Sequence, residues 1–222
     1  MPNHIINRLT VVSTDNDRIR EILEAVKDEE IGLGSLDFEK IIPPPPGIYR
    51  GDVGQREQEL YGDNTLLDFA RQNWGTKWNS YGYDDPIEFG GGSEISFMTA
   101  WNRPEPVIKK LSEMFPDVEF QHQWADEDIG NNVGTILYEN GQEIEHDVPT
   151  AYSKEAYEMA SDIQGLDLSE FNLYYSSERG NYRYVPDDQL FAEHQRQMAE
   201  ESEEFDDFDE DLDQDFGMGG IS

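Results

Sequence analysis

Residues 71–82, RQNWGTKWNSYG, set Trp74 and Trp78 around Gly-Thr-Lys, with Tyr81 three residues further on. Trp101 and Arg103 follow in the segment TAWNRP. Flat aromatic faces beside cations can stack on a base or a sugar, or hold a lysine or arginine in a cation–π pair. Trp74, Lys77, Trp78, Tyr81, Trp101 and Arg103 are therefore the candidate partner- or ligand-binding residues. The competing reading is a packing corner between a helix and a sheet. There Trp74 closes a helix face, Trp78 and Trp101 cover the end of a sheet, and each indole N–H needs one partner. Lys77 is then a local counter-charge.

Other chemistry has little footing. The chain has no cysteine, which removes disulfides, thiolate metal sites and cysteine nucleophiles. His4, His122, His146 and His194 lack HxH or HxxxH spacing. His4 and His122 could meet if the first and last core strands are neighbours, but a lone strand histidine reads as structural. The run DFDEDLDQDFG has the outline of a calcium loop. Started at Asp209, it has Gln214 at the turn-glycine position and no closing glutamate. GLGSL (32–36) and GGGS (90–93) lack the spacing of phosphate-binding loops, and there is no GxSxG. No catalytic residue, metal ligand or cofactor is expected.

The formal net charge is −33 over 222 residues. Residues 187–216 carry about −13 of it, so the body is itself acidic. Such charge disfavours nucleic-acid backbones, whose affinity rests on Lys and Arg, and disfavours anionic membranes. It favours a basic protein partner, including one that handles nucleic acid. Solubility is the plainer explanation. No apolar run approaches the length of a membrane span, and MPNHIINRLTVV lacks the pattern of a signal peptide. A cytoplasmic protein is expected; the oligomeric state is open.

The elements that must position the candidate residues are legible from periodicity. HIINRLTVV alternates as a strand whose apolar face is Ile5, Leu9 and Val11, with Asn7 as an exception. Thr14 or Asp15 caps a helix with Ile19, Ile22, Leu23 and Val26 on one face. Leu36, Phe38 and Ile41 or Ile42 anchor an extended segment before Pro43–Pro46, read as a polyproline connector. NTLLDFARQNWG predicts a helix with Leu66, Leu67, Ala70 and Trp74 on one face, stopped by Gly75. EISFMTAW predicts a strand, RPEPVIKKLSEMF a helix and VEFQHQW a strand with Val118, Phe120, His122 and Trp124 on one face. VGTILYENGQEIEHD predicts a hairpin turning at Asn140-Gly141. One more strand within residues 80–90 would complete β-α-β-β-α-β. SKEAYEMASDI predicts a helix, FNLYYSSERGNYRYV a strand pair and DDQLFAEHQRQMAEESEE a weak helix.

The segments MPNHIINRLTVV, DFEKIIPPP, NWGTKWN, ISFMTAWNRPEPVIKKLSEMFPDVEF and NNVGTILYENG, in that order, resemble the YubB-type ferredoxin-like domain family. Proteins of that family are common on phages, plasmids and integrated mobile elements. The resemblance covers roughly residues 1–147. It implies an α+β fold, a ferredoxin-like split βαβ sandwich whose antiparallel sheet carries helices on one face. It implies no iron–sulfur cluster, and it supplies no activity or catalytic residues to carry over. Residues 1–147 are thus expected to form the domain, with an insertion at about 43–80. Residues 148–199 form an α/β extension on or near the core, and 200–222 an acidic tail without structure of its own.

The expected function is a non-enzymatic accessory or interaction protein of a phage or mobile element. It would bind a host or element protein, in one version as an acidic mimic of nucleic acid. In the tail, Phe205, Asp206, Asp207, Phe208, Asp209, Glu210 and Asp211 form a candidate acidic-aromatic docking segment. Two alternatives are a small-molecule binder or enzyme using the tryptophan-rich end, and an RNA-binding module of the same topology. The charge and the lack of an RNP-like stretch disfavour the last.

Overall fold

The alternation of HIINRLTVV produces strand β1 (His4–Val12) in the computed structural model, which describes residues 3–83 and 92–191. Ile5, Asn7, Leu9 and Val11 all point inward. Helix α1 (Asn16–Val26) starts where the Asp15 carboxylate accepts from the N–H groups of Asp17 and Arg18. It buries Ile19, Ile22, Leu23 and Val26. Where the sequence suggests an extended segment, there is instead a short helix, α2 (Phe38–Ile41). Asp37 caps it, and turning the chain lets Phe38 and Ile41 face the core together. Helix α3 (Gln55–Tyr61) buries none of its residues. Helix α4 (Leu66–Phe69) widens into a π-turn, Ala70–Trp74, which ends at left-handed Gly75.

Strand β2 (Glu94–Ala100), helix α5 (Glu105–Met114) and strand β3 (Glu119–Asp126) form a split βαβ unit, because β1 lies between the two strands. Strands β4 (Gly134–Glu139) and β5 (Gln142–Asp147) extend the sheet. The order is β2-β1-β3-β4-β5, antiparallel throughout. The β4–β5 turn has positive φ at both Asn140 and Gly141, as the Asn-Gly pair predicts. Every residue of edge strand β5 is exposed, and its acidic side chains discourage edge-to-edge pairing.

Of the additional strand expected within residues 80–90, the described residues show one antiparallel bridge, Tyr81 to Met98. The Tyr81 N–H donates to the Met98 carbonyl (3.1 Å) and the Met98 N–H to the Tyr81 carbonyl (2.6 Å). The rest of that segment lies outside the described residues.

Helices α1 and α5 cover one face of the sheet, over Leu9, Phe97, Phe120 and Trp124. Helix α6 (Lys154–Gln164), capped by Ser153, covers the reverse face. Its Ala156, Ala160 and Ile163 pack with Ala125, Val133 and Ile6. Residues up to Asp167 form one compact unit, and those from Leu168 a second. In the second, strands β6 (Leu173–Ser176) and β7 (Asn181–Tyr184) pair as a hairpin. Residues 187–191 are helical; the remainder of the weak helix and the tail segment Phe205–Asp211 lie outside the described residues. Among the described residues, no helix is long and apolar enough to cross a membrane.

Candidate functional site

The tryptophan-rich stretch becomes a strap from Gly75 to Tyr83, fastened at several points. Thr76 is buried, and its hydroxyl donates to the Trp78 carbonyl (2.7 Å). Asn79 Oδ1 accepts from the Phe38 N–H (2.9 Å), while Asn79 Nδ2 donates to Asp37 (2.8 Å). Ser80 Oγ donates to the Leu36 carbonyl. Tyr83 Oη accepts from the Leu36 N–H (3.0 Å) and donates to Ser80 (2.7 Å), and burial pushes its pKa up to about 12. Polar side chains thus stitch the strap to α2, and Tyr81 adds it to the sheet edge.

The four tryptophans separate. Trp74 is 1% exposed, and its indole N–H donates to the Ile42 carbonyl (2.9 Å) between the edges of Phe38 and Phe69. It is a packing residue and leaves the candidate set, because nothing outside the fold can reach it. Trp124 is fully buried under the Arg103 guanidinium, whose carbon sits 4.0 Å from the ring centroid. Arg103 also binds Glu105 (2.8 Å), so its charge is already paired.

Trp78 and Trp101 are 40% and 42% exposed. The Lys77 ammonium lies between them, 4.4 Å from one ring centroid and 5.0 Å from the other. Arg71, from the π-turn, sits 5.2 Å over Trp101. Tyr81 meets Trp78 edge-on and bonds His4 Nδ1 through its hydroxyl (2.7 Å). Its pKa is raised, first by burial and then by Glu127. Of the sequence candidates, Lys77, Trp78, Tyr81 and Trp101 therefore come together. Arg71 and His4 join them, and no sequence spacing marks either.

Two features set this corner apart from ordinary surface. Trp101 has φ +75°, a left-handed conformation that a bulky side chain rarely adopts. Its N–H is held by the Asn3 carbonyl (2.9 Å), and the Thr99 hydroxyl pins the following turn through the Asn102 carbonyl (2.8 Å). With this backbone the indole stands outward beside Lys77. In addition, among the described residues of the first unit, every cation except Arg56, Arg71 and Lys77 has a carboxylate within 4.0 Å. Two of those three exceptions stand together over exposed indoles in a chain with 49 acidic residues.

A second polar cluster lies in the interior. Asn7 Nδ2 donates to the Ile5 carbonyl (2.9 Å) and Thr99 Oγ1 (3.0 Å), leaving its Oδ1 to face His122 Nε2 at 3.0 Å. The amide oxygen can only accept, so Nε2 carries the proton of the neutral ring. Burial, with the nearby Arg103 charge, pushes the His122 pKa down to about 3. The exceptional Asn7 of the sequence is thus the hub of a buried network. His4 and His122 do not meet: β3 sets His122 opposite Leu9, and Asp126 is the residue opposite Ile5, beside His4. Among the described residues, no cluster of three His, Asp or Glu is arranged to hold a metal ion.

Residues 73–167 match the family model described as the ferredoxin-like domain in Api92-like protein. The match runs from the strap through β2, α5, β3, β4, β5 and α6. The chain carries a ferredoxin-like domain, as its topology indicates. No curated protein and no solved structure matches it.

Proposed function

We propose that this chain is a non-enzymatic interaction module that binds a protein partner through the corner formed by Arg71, Lys77, Trp78 and Trp101. The observation that supports the reading is a pair of cations, without carboxylate partners among the described residues, over two exposed tryptophans. Tryptophan and arginine dominate the energetics of protein interfaces when a partner desolvates them. In an acidic protein such a corner is also the place where a partner's carboxylate meets least repulsion. The resemblance of residues 1–147 to the YubB-type family supports an accessory role on a phage or other mobile element, with a host or element protein as the target. The reading assigns the protein to the cytoplasm, and the lack of cysteine agrees with that.

The test is capture from host lysate at low and high salt, using the full chain and the Trp78→Ala/Trp101→Ala variant. A partner retained by the wild type at both salt concentrations and lost by the variant supports the corner. A partner retained equally by both removes it.

The net charge of −33 favours a second reading, an acidic surface that occupies the basic groove of a nucleic-acid-handling protein. Such binding is steeply salt-sensitive and indifferent to Trp78 and Trp101. Binding unchanged by salt sinks this version. The same experiment thus separates the two readings.

A further inference from the structure

We infer that the cavity beside Trp78 is a binding site for a small planar monoanion, specifically an aromatic carboxylate. The inference goes beyond the protein-docking reading and stands whether or not the corner meets a protein.

The cavity has a volume of about 370 Å³. That lies within the usual range for small-molecule sites, about 300–1,000 Å³. Val53, Leu66, Leu67 and the Trp78 indole supply apolar walls, which suit a flat hydrocarbon body. Three charged groups line it. Arg50 presents both guanidinium ends to Glu39, at 2.7 and 2.8 Å, so its charge is already answered. Among the described residues no carboxylate lies within ion-pair distance of Lys77, and its ammonium stands over Trp78. Asp52 is the third.

This set discriminates among ligands. A neutral ring would leave Lys77 unanswered while covering it. A cation would have to displace Lys77 from the indole face. A dianion would bring one charge toward Asp52. One negative group on an aromatic ring satisfies all three constraints, with its carboxylate on the Lys77 ammonium and its ring against Trp78 and the leucines. Trp101 and Arg71 lie outside the cavity lining, so this site and the protein-docking corner share only Lys77 and Trp78.

The experiment is calorimetric titration of the full chain with indole-3-carboxylate, its neutral amide indole-3-carboxamide, and the dianion phthalate. We expect saturable binding of indole-3-carboxylate, with the amide and phthalate each weaker by about tenfold or more, a difference of about 1.4 kcal/mol. Lys77→Met weakens carboxylate binding by a similar factor, and Lys77→Arg restores most of it. Leu67→Trp fills the cavity and abolishes binding. Arg71→Met, which lies outside the cavity lining and contacts Trp101 and not Lys77, leaves the titration unchanged even if it weakens protein capture, which keeps the two proposals separable. No saturable heat from indole-3-carboxylate overturns the inference. So does binding that survives both Lys77→Met and Leu67→Trp, and so does equal affinity for acid and amide. Should Leu67→Trp fail to fold, Lys77→Met decides the question, because the Lys77 ammonium contacts two exposed indoles and the backbone bond from Lys77 to the Ala100 carbonyl is kept in the variant.

Discussion

The chain uses its four tryptophans in two opposite ways. Trp74 and Trp124 are buried, and each indole N–H has a partner: the Ile42 carbonyl and Asn132 Oδ1. Trp78 and Trp101 stand about two-fifths exposed, with cations over their faces. The buried pair supplies apolar area to the fold; the exposed pair supplies a surface that a ligand or partner can desolvate. The difference lies in surroundings, since residue type is the same. Trp124 lies across Gly134, where an added Cβ would come within 2.6 Å of the indole. Trp101 stands outward on a left-handed backbone.

Truncation should separate the two pairs most widely. Trp74→Ala or Trp124→Ala is expected to cost about 3–5 kcal/mol in urea unfolding, the range for large aromatic side chains in cores. Trp78→Ala is expected to stay within about 1 kcal/mol of wild type, as exposed positions do. Equal losses at Trp78 and Trp74 would make the corner a part of the core and end the comparison.

Next is Gly134→Ala. A methyl group against the Trp124 ring and Val148 is expected to destabilise by about 1–3 kcal/mol through overpacking. A neutral outcome would mean that the indole shifts freely and that the interior around it is loose.

The interior network adds a pH dependence. The unfolded chain protonates His122 below about pH 6.5, the ordinary value for histidine. The folded chain keeps it neutral to about 3, chiefly through burial. The unfolded state therefore binds more protons in that window, and stability falls as pH drops from about 6.5 toward 3. His122→Gln can still donate to Asn7, and it should flatten that part of the profile of unfolding midpoint against pH. An unchanged slope would show that carboxylates alone set the acid sensitivity.

The finest distinction concerns Trp101. Left-handed backbone costs an ordinary residue roughly 1–2 kcal/mol. Trp101→Gly removes that strain along with the indole, so thermal unfolding should show it at least as stable as Trp101→Ala. If alanine is clearly the more stable of the two, the strain is not what distinguishes this position.

Much of the core is legible in the amino-acid order. Alternation marks β1 and its inward face, and the 3.6-residue period marks α1 and α5 with the residues they bury. Asn140-Gly141 announces its turn because both positions need positive φ. Asn7 stands out as the polar residue on an apolar face, though its partners Thr99 and His122 lie 92 and 115 residues away. The short helix α2 reads as extended chain, because four residues carry too little period to identify a helix. The reverse-face position of α6 is also hidden: Ile6 and Ala125, which receive it, look like ordinary alternate residues on strands.

The candidate site is legible only in composition. The spacing of RQNWGTKWNSYG shows aromatics and a cation close together along the chain. It does not show that Trp74 turns inward while Trp78 stays out, since a π-turn and the left-handed Gly75 separate them. Nor does it bring Trp101 and Arg71 to the same place. Charge, the absence of thiols, and the strands and helices with periods long enough to read all follow from residue type and local order. Folding sets the rest: which indoles are buried, which cations lack carboxylate partners, and where the cavity beside Trp78 opens. Those properties arise between groups brought together from distant positions, which local pattern does not encode.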